Sequence, residues 1–269
     1  MPSLLNQISI VNGKLVQFDD MLVKYASSSS VTPTPPPEPP FDPLNPLGLP
    51  PFTIRCKFDA GYTPKMGTSQ TLVDKDENVW DITKNSNNWD GLFQECHYIF
   101  EVLGANTTSV TSMNEMFNGC DRFASITLFD TSSVTSMTLM FNATTISELP
   151  LFDTSSVTSM NRMLCNCRYL TKLPLLNTHS AMDMQGMCMG CEGLTQIPLF
   201  DTTSATDVSS MFSGCMLVEC GALALYQQAS SQANPPAKHS SAFYACGVRT
   251  TSGMDEFNQI PKDWGGNKS

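Results

Sequence analysis

The sequence predicts an α/β solenoid, in which short repeats stack and share one continuous core. One observation behind this fold class is a sequence motif that occurs in five copies, spaced 23 or 24 residues apart. The other is that each copy places apolar residues at two spacings, one typical of a strand and one typical of a helix. Such a period indicates stacking, because one repeat cannot bury its apolar face alone. The copies open at Asn106, Asp130, Asp153, Asn177 and Asp201.

The first part of each copy has LxxLxL spacing, as in Phe123, Ile126 and Leu128. Because the last two apolar positions alternate with polar residues or proline, one short strand per repeat is predicted. Its apolar positions are expected to enter the core. The prolines at 150, 174 and 198 require either that the missing N–H faces away from the ladder or that the strand is irregular there.

The second part of each copy reads VTSMxxMF, with Val110, Met113, Met116 and Phe117 as the type copy. This spacing is helical, and the preceding Asn/Asp-Thr-Ser group supplies a helix cap. One strand and one short helix per repeat predict a leucine-rich-repeat-like solenoid, whose methionines form two columns in the core. Incomplete copies lie around Trp89 and before Cys246.

The flanking segments complete the predicted architecture. A β-rich block at residues 52–88 is expected to cap the solenoid of residues 89–218, and residues 219–269 form the C-terminal capping region. Residues 1–26 are predicted to be a small separate β segment, with a hairpin turn at Asn12-Gly13. Residues 27–51 hold ten of the eighteen prolines and are predicted to be an extended linker. A PxxP ligand at Pro36 and Pro39 is the less favoured alternative.

The composition excludes several function classes. The formal net charge of −10, from 15 basic and 25 acidic residues, argues against a nucleic-acid partner. No run approaches the roughly 18 apolar residues of a membrane span, so no membrane insertion is expected. The N-terminus lacks the pattern of a secretory signal.

The residues that could carry chemistry favour structural roles. Most of the ten cysteines share one repeat position, which favours buried thiols over a metal site or disulfides. His97, His179 and His239 lie in different contexts without a flanking acid at a suggestive spacing. The sequence predicts no catalytic residue, no cofactor and no metal, and hence a protein that is not an enzyme.

The repeats closely resemble the BspA-like leucine-rich repeats of bacterial surface proteins, whose recurring string is FDTSxVTxMxxMFxxC followed by LxxLxL. Residues 130–141 carry this string, as do the equivalent residues from Asp153 and Asp201. The resemblance implies adhesion and interaction, and such repeats also occur in phage-encoded virion proteins. The copy at residues 177–191 departs from the pattern, with Ala181 for Val and Cys188 for Phe, and is expected to pack less well.

The layout of the chain favours a phage fibre or receptor-binding protein located on the virion over a bacterial cell-surface adhesin. Residues 1–26 would bind other virion proteins, and the repeats would bind a glycan or a protein of the host cell surface. The alternative is a structural or decoration protein of the particle without receptor binding. Fibre proteins are often symmetric oligomers, so a homo-oligomer stays open, although no heptad pattern is present.

The positions between the apolar residues of LxxLxL are predicted to form the binding surface. Because copies stack, these positions should align in two columns on the sheet face, and the second column varies in charge and size. The first column contains Ala124, Ser147, Thr171 and Thr195. The second contains Ser125, Glu148, Lys172 and Gln196.

Overall fold

A computed structural model describes residues 9–11, 14–16 and 42–268 of the chain. The chain divides into two compact units, residues 1–40 and 41–269. The Asn12-Gly13 turn and most of the predicted proline-rich linker lie outside the described residues, and the proposed domain boundaries stay predictions.

The first unit contains a pair of short antiparallel strands. Strand β1 (Ser9–Val11) pairs with β2 (Lys14–Val16), and Val11 lies opposite Lys14. Only two residues separate the strands, which is the connection length typical of a tight hairpin.

The second unit begins with a five-stranded mixed sheet in the order β4-β5-β3-β6-β7. All pairings are antiparallel except β6 with β7, in which Glu101 lies opposite Ser125. The strands are β3 (Thr53–Phe58), β4 (Ser69–Asp74), β5 (Val79–Thr83), β6 (Ile99–Asn106) and β7 (Ser125–Ile126).

Strand β3 shows why this segment forms a sheet. Its alternate residues Ile54, Cys56 and Phe58 are buried, as period-two patterning requires. Between them, Arg55 donates through Nε and Nη2 to the two carboxylate oxygens of Asp81 on β5, at 2.7 and 2.8 Å. The apolar face therefore joins the core, while a bidentate ion pair links the strands on the other face.

Two short helices follow the repeats: α1 (Ala222–Ser230) and α2 (Thr251–Phe257). Helix α1 buries Leu225 and Ala229, and it ends before the Pro235-Pro236 pair. Helix α2 is capped by the Thr250 hydroxyl, which accepts a hydrogen bond from the Gly253 N–H at 3.0 Å. A 3₁₀ turn, Lys262–Trp264, completes this region.

The predicted α/β solenoid is wrong. Helix in the described part of the chain is confined to these two short elements and the 3₁₀ turn, and none of them lies in a VTSMxxMF segment. The strands of the second unit form one mixed sheet, and from Thr127 to Gly221 the chain consists of turns, bends, loops and single bridges.

Alternating hydrogen bonds explain why the VTSMxxMF segments are not helical. The N–H groups of Glu115 and Phe117 donate to the carbonyls of Thr138 and Met140 in the next copy, at 2.8 and 2.9 Å. The N–H of Met116, which lies between them, instead donates to Met113 O, three residues earlier, at 3.4 Å. A helix would direct all of these N–H groups back along its own chain.

This alternation requires a left-handed residue between the two methionine positions of each copy. Gly91 and Gly186 fill the position with φ of 62° and 58°. The other copies use residues with side chains, which cost about 1–2 kcal/mol each in this conformation. These are Glu115, Leu139, Arg162, Ser210 and Ser241, with φ between 51° and 59°. A left-handed residue ends a right-handed helix, so each copy becomes a series of tight turns.

The apolar side chains of the copies form the core, and the core role predicted for the methionines is confirmed. Both methionine columns are buried, with at most 2% of any of these residues exposed. Phe93, Phe117 and Phe141 stack between copies with ring centroids 5.4 and 5.6 Å apart. Ala181 and Cys188, the two departures from the repeat pattern, are also fully buried.

A buried threonine links each of the first four copies to the next. Thr131, Thr154 and Thr178 donate through Oγ1 to the carbonyls of Asp153, Asn177 and Asp201, at 2.8, 2.8 and 2.7 Å. Thr107 makes the same bond to Asp130 O. These threonines are at most 1% exposed, so the carbonyl of the next copy supplies the partner that a buried hydroxyl requires.

The last copy meets the 3₁₀ turn. The Phe243 N–H donates to Trp264 O at 2.9 Å. The Trp264 ring stacks on His239, with ring centroids 4.3 Å apart. Trp264 therefore lies where a further copy would otherwise follow.

Candidate functional site

Three of the four residues in the first predicted column are neighbours in the structure. The N–H of Thr171 donates to Ser147 O at 3.4 Å, and the N–H of Thr195 donates to Thr171 O at 3.3 Å. Ser147 and Thr171 are exposed, whereas Thr195 is half-buried. Ala124 is half-buried and bonds to Phe100 O of the preceding copy, at 3.0 Å.

The second column is exposed at Glu148, Lys172 and Gln196, while Ser125 is half-buried. Ser125 Oγ donates to Glu101 Oε1 at 2.8 Å. At the other end, Gln196 Nε2 contacts Cys220 Sγ at 3.6 Å. Glu101 and Cys220 therefore extend the column, and the 24-residue step would have identified both from the sequence.

A third column, which the sequence analysis placed in the core, is exposed instead. The last leucine of LxxLxL lies on the surface in four copies: Leu128 is 40% exposed, Leu151 61%, Leu175 63% and Leu199 54%. The expectation that every apolar position of the phrase enters the core is therefore wrong. We call these four residues the leucine column.

The recurring prolines explain why three of these leucines, Leu151, Leu175 and Leu199, point outward. The N–H groups of Phe152, Leu176 and Phe200 each donate to the carbonyl of the proline two residues earlier, at 2.9 Å. This tight turn interrupts the strand alternation and directs the next residue inward. Phe152, Leu176 and Phe200 are accordingly at most 2% exposed, and the strand is irregular at each proline.

The acidic residue that opens a copy has a structural role. Asp201 Oδ1 accepts from the N–H and the hydroxyl of Thr203, at 2.9 and 2.6 Å, and Oδ2 lies 3.0 Å from His179 Nδ1. These hydrogen bonds, those from Thr203 foremost, lower the pKa of Asp201 to about 2. The Ser155 hydroxyl and N–H likewise lower the pKa of Asp153. Hydrogen bonding favours the charged form, so these carboxylates stay ionised.

Each histidine lies beside a carboxylate that is distant from it in sequence. His97 Nδ1 is 3.0 Å from Asp121 Oδ1, and His239 Nε2 is 3.4 Å from Asp263 Oδ2. The 24-residue step between His97 and Asp121 was the available signal. Within residues 42–268 no serine, threonine or cysteine side chain hydrogen bonds to a histidine ring. Within the described residues these are histidine–carboxylate contacts without an attached nucleophile.

The cysteine column is buried as free thiols, as predicted. Cys120, Cys167, Cys191 and Cys215 each direct Sγ toward a carbonyl of the preceding copy, at 3.0 to 3.1 Å. Burial raises the pKa of Cys120, Cys167 and Cys215, so the neutral thiol is favoured. Within the described residues no three potential ligands are grouped as a metal site would require.

Comparisons with known proteins identify a family. Three overlapping matches to one family model cover residues 65–148, 87–197 and 142–221. Together they run from residue 65 to residue 221, more than half of the 269 residues. No curated protein and no solved structure matches the chain. In the described part of the chain, no helix is both long and apolar enough to cross a membrane. By the extent of these matches, the chain belongs to the family described as Mycoplasma protein of unknown function, DUF285.

Proposed function

We propose that this chain is a non-enzymatic binding protein of a virus particle, and that its repeats attach the particle to a protein on the host cell surface. The observation that carries this proposal is the leucine column. Four leucines at one repeat position are 40% to 63% exposed, and no part of residues 42–268 covers them. An aligned row of exposed apolar side chains is typical of a surface that binds another protein.

The exposed residues of the second polar column support a binding surface that includes the leucine column. Glu148, Lys172 and Gln196 are exposed and lie three residues before Leu151, Leu175 and Leu199. Protein interfaces commonly combine an apolar centre with a polar rim. The leucines favour a protein over a glycan as the partner of this surface, because a protein can bury all four side chains at once.

Many copies on one particle would strengthen a weak contact. Four half-exposed leucines give a smaller apolar area than a typical stable interface needs. When several copies bind together, each later contact becomes intramolecular and the overall avidity rises steeply. A particle-borne protein therefore does not require a tight single site.

The test replaces Leu151 and Leu175 with serine in one variant. Particles that carry it should adsorb poorly to host cells, while the melting temperature changes little, since surface substitutions usually alter stability by less than about 0.5 kcal/mol. The matched control is Leu72→Ser, because Leu72 is 44% exposed but lies on β4, outside the repeats. Unchanged adsorption of the double variant would contradict the proposal.

The polar columns are tested separately. Replacing Glu148, Lys172 and Gln196 together with alanine should also leave the melting temperature nearly unchanged, because all three side chains are exposed. Reduced adsorption would assign them to the contact surface. Wild-type adsorption would leave the leucine column as the sole contact surface under test.

We propose further that residues 1–26 attach the chain to other virion proteins. The division into two compact units, with paired strands in the first, supports separate attachment and display functions. Two short strands gain little stability alone and benefit from a partner. Deleting residues 1–30 should abolish incorporation into particles while the melting transition of the repeats persists. Normal incorporation of the deleted chain would refute this assignment.

A further inference from the structure

A surface depression beside the first repeat is built differently from the leucine column. It has a volume of about 650 Å³ and lies between the turn after β3 and the residues that directly precede two strand segments, β6 and the LxxLxL segment at Phe123. It is lined by Asp59, Ala60, Gly61, Tyr62, Tyr98 and Arg122. We propose that this depression binds a neutral hexose unit of a glycan, with Tyr98 under the sugar ring and the Asp59–Arg122 pair on its hydroxyls.

The two tyrosines form an aromatic platform. Their rings stack with centroids 4.3 Å apart and planes 13° from parallel. Tyr62 also contacts Phe58, with ring centroids 5.5 Å apart, which connects the platform to the core. Tyr98 stays 49% exposed. One side of a pyranose ring presents C–H groups, and a half-exposed aromatic ring offers them an apolar contact that water does not.

The turn that carries Asp59 and Tyr62 is fixed before any ligand arrives. The Asp59 N–H donates to Tyr98 O at 2.9 Å. The Asn78 amide donates to the carbonyl of Asp59 at 2.6 Å and to that of Tyr62 at 2.9 Å. Asn78 Oδ1 in turn accepts from Trp80 Nε1 at 2.8 Å. Binding therefore requires little ordering of this turn, which favours affinity.

The polar rim suits hydroxyl groups. Arg122 Nη1 lies 2.9 Å from Asp59 Oδ2, and 60% of the Arg122 side chain is exposed. A guanidinium has five N–H donors and a carboxylate about four acceptor sites, so most of both remain available. A sugar hydroxyl can accept from the arginine while it donates to the aspartate, and neighbouring hydroxyls can do so in parallel.

The local charge selects against anionic ligands. Asp59 neutralises Arg122 directly, and Asp121 and Glu95 lie near His97, one residue before Tyr98. A phosphate, a sulfate or a sialic acid would meet carboxylates at this edge with no unpaired arginine to offset them. A neutral hexose avoids this repulsion. The site shares no residue with the leucine column. An experiment on this site therefore tests the sugar proposal separately from the proposed function.

The test uses the full chain and immobilised neutral oligosaccharides that end in glucose, galactose, mannose or N-acetylhexosamine. Binding to at least one terminal sugar, competed by the free monosaccharide, is expected. Tyr98→Ala and Arg122→Gln should each weaken it by about tenfold or more, whereas Tyr98→Phe should retain most of it because the ring face remains. Tyr244→Ala is the matched control, since Tyr244 is 61% exposed at the opposite end of the repeats.

Each other outcome overturns the proposal. Absence of binding to every neutral sugar, or binding that Tyr98→Ala and Arg122→Gln both leave unchanged, removes the site. Binding only to sulfated, sialylated or peptide probes identifies a different ligand class. Thermal melting accompanies every variant, and Arg122→Gln keeps the test decisive if Tyr98→Ala fails to fold, because Arg122 contacts the fold mainly through one ion pair.

Discussion

A single buried hydroxyl links neighbouring copies, and its removal should lower the free energy of unfolding. Thr154 is 0% exposed, and its Oγ1 donates to Asn177 O at 2.8 Å. Thr154→Val keeps the shape but removes this hydrogen bond, and the net contribution of such a bond is typically about 0.5–1.5 kcal/mol. We expect the free energy of unfolding to fall by this amount, which appears as a lower denaturant midpoint with an unchanged m-value. Thr127→Val is the control, since Thr127 is exposed; equal effects of the two substitutions would contradict the assigned role.

The Asp201 carboxylate should make stability depend on pH in the acid range. Its pKa in the folded chain is about 2, below the value of about 3.9 for an unfolded aspartate. A depressed pKa adds stability that is present above the unfolded value and is lost as pH falls toward the folded one. Between about pH 5 and pH 2, the melting temperature of Asp201→Ala should therefore fall less than that of the wild type. Parallel melting curves across this range would exclude the linkage.

At the scale of the elements, the packing of helix α2 against its neighbours requires a glycine at position 253. A Cβ at Gly253 would lie 2.0 Å from Val218 O and 2.7 Å from Gly247 Cα. Alanine gains about 1 kcal/mol over glycine in a helix, but forcing a methyl group into a packed site usually costs about 1–3 kcal/mol. Because the shortest of these contacts is to a backbone carbonyl, which cannot rotate away, the clash should dominate. We expect Gly253→Ala to lower the melting temperature and Ser252→Ala, on the exposed side of α2, to leave it nearly unchanged; a stabilised Gly253→Ala would show that the backbone yields.

The repeat elements show how far the sequence could predict the fold. Burial at Met113, Met116 and Phe117 was predictable, because turns closed by bonds to the residue three positions earlier place side chains at nearly helical spacing. The backbone was not, since Glu115, Leu139 and Arg162 carry no signal for a left-handed conformation. Glycine at the same position in two other copies, Gly91 and Gly186, was the one available clue.

The candidate surface was predictable only in part. The repeat step aligned Glu148, Lys172 and Gln196, which are exposed. The leucine column was assigned to the core because strand alternation was assumed to continue through the prolines. Each proline starts a tight turn that shifts the alternation by one residue, so the leucine faces out and the residue after it faces in. The depression at Tyr98 joins residues from separate elements, and no local pattern indicates it.

For the whole molecule, thiol accessibility reports whether the stacked core is intact. Of the ten cysteines, only Cys220 is exposed, and the others are buried. Because the thiolate is the reactive form and buried thiols stay neutral, about one thiol should react with a chromogenic disulfide in the native protein. All ten should react after denaturation without reductant. Cys220→Ser should abolish the native reaction; far fewer than ten thiols, or stoichiometric zinc by elemental analysis, would refute free buried thiols.

The position of Trp264 bears on whether the molecule remains a discrete particle. Successive copies direct N–H groups the same way, and the next copy accepts them; at the last copy, Trp264 O accepts from Phe243. Without Trp264, the N–H and the ring of Phe243 would face solvent as part of an open edge. An edge that accepts a further copy head to tail does not close on itself, so it would recruit other molecules into a filament of indefinite length. Trp264 thus covers the part of the last copy at which such growth would begin.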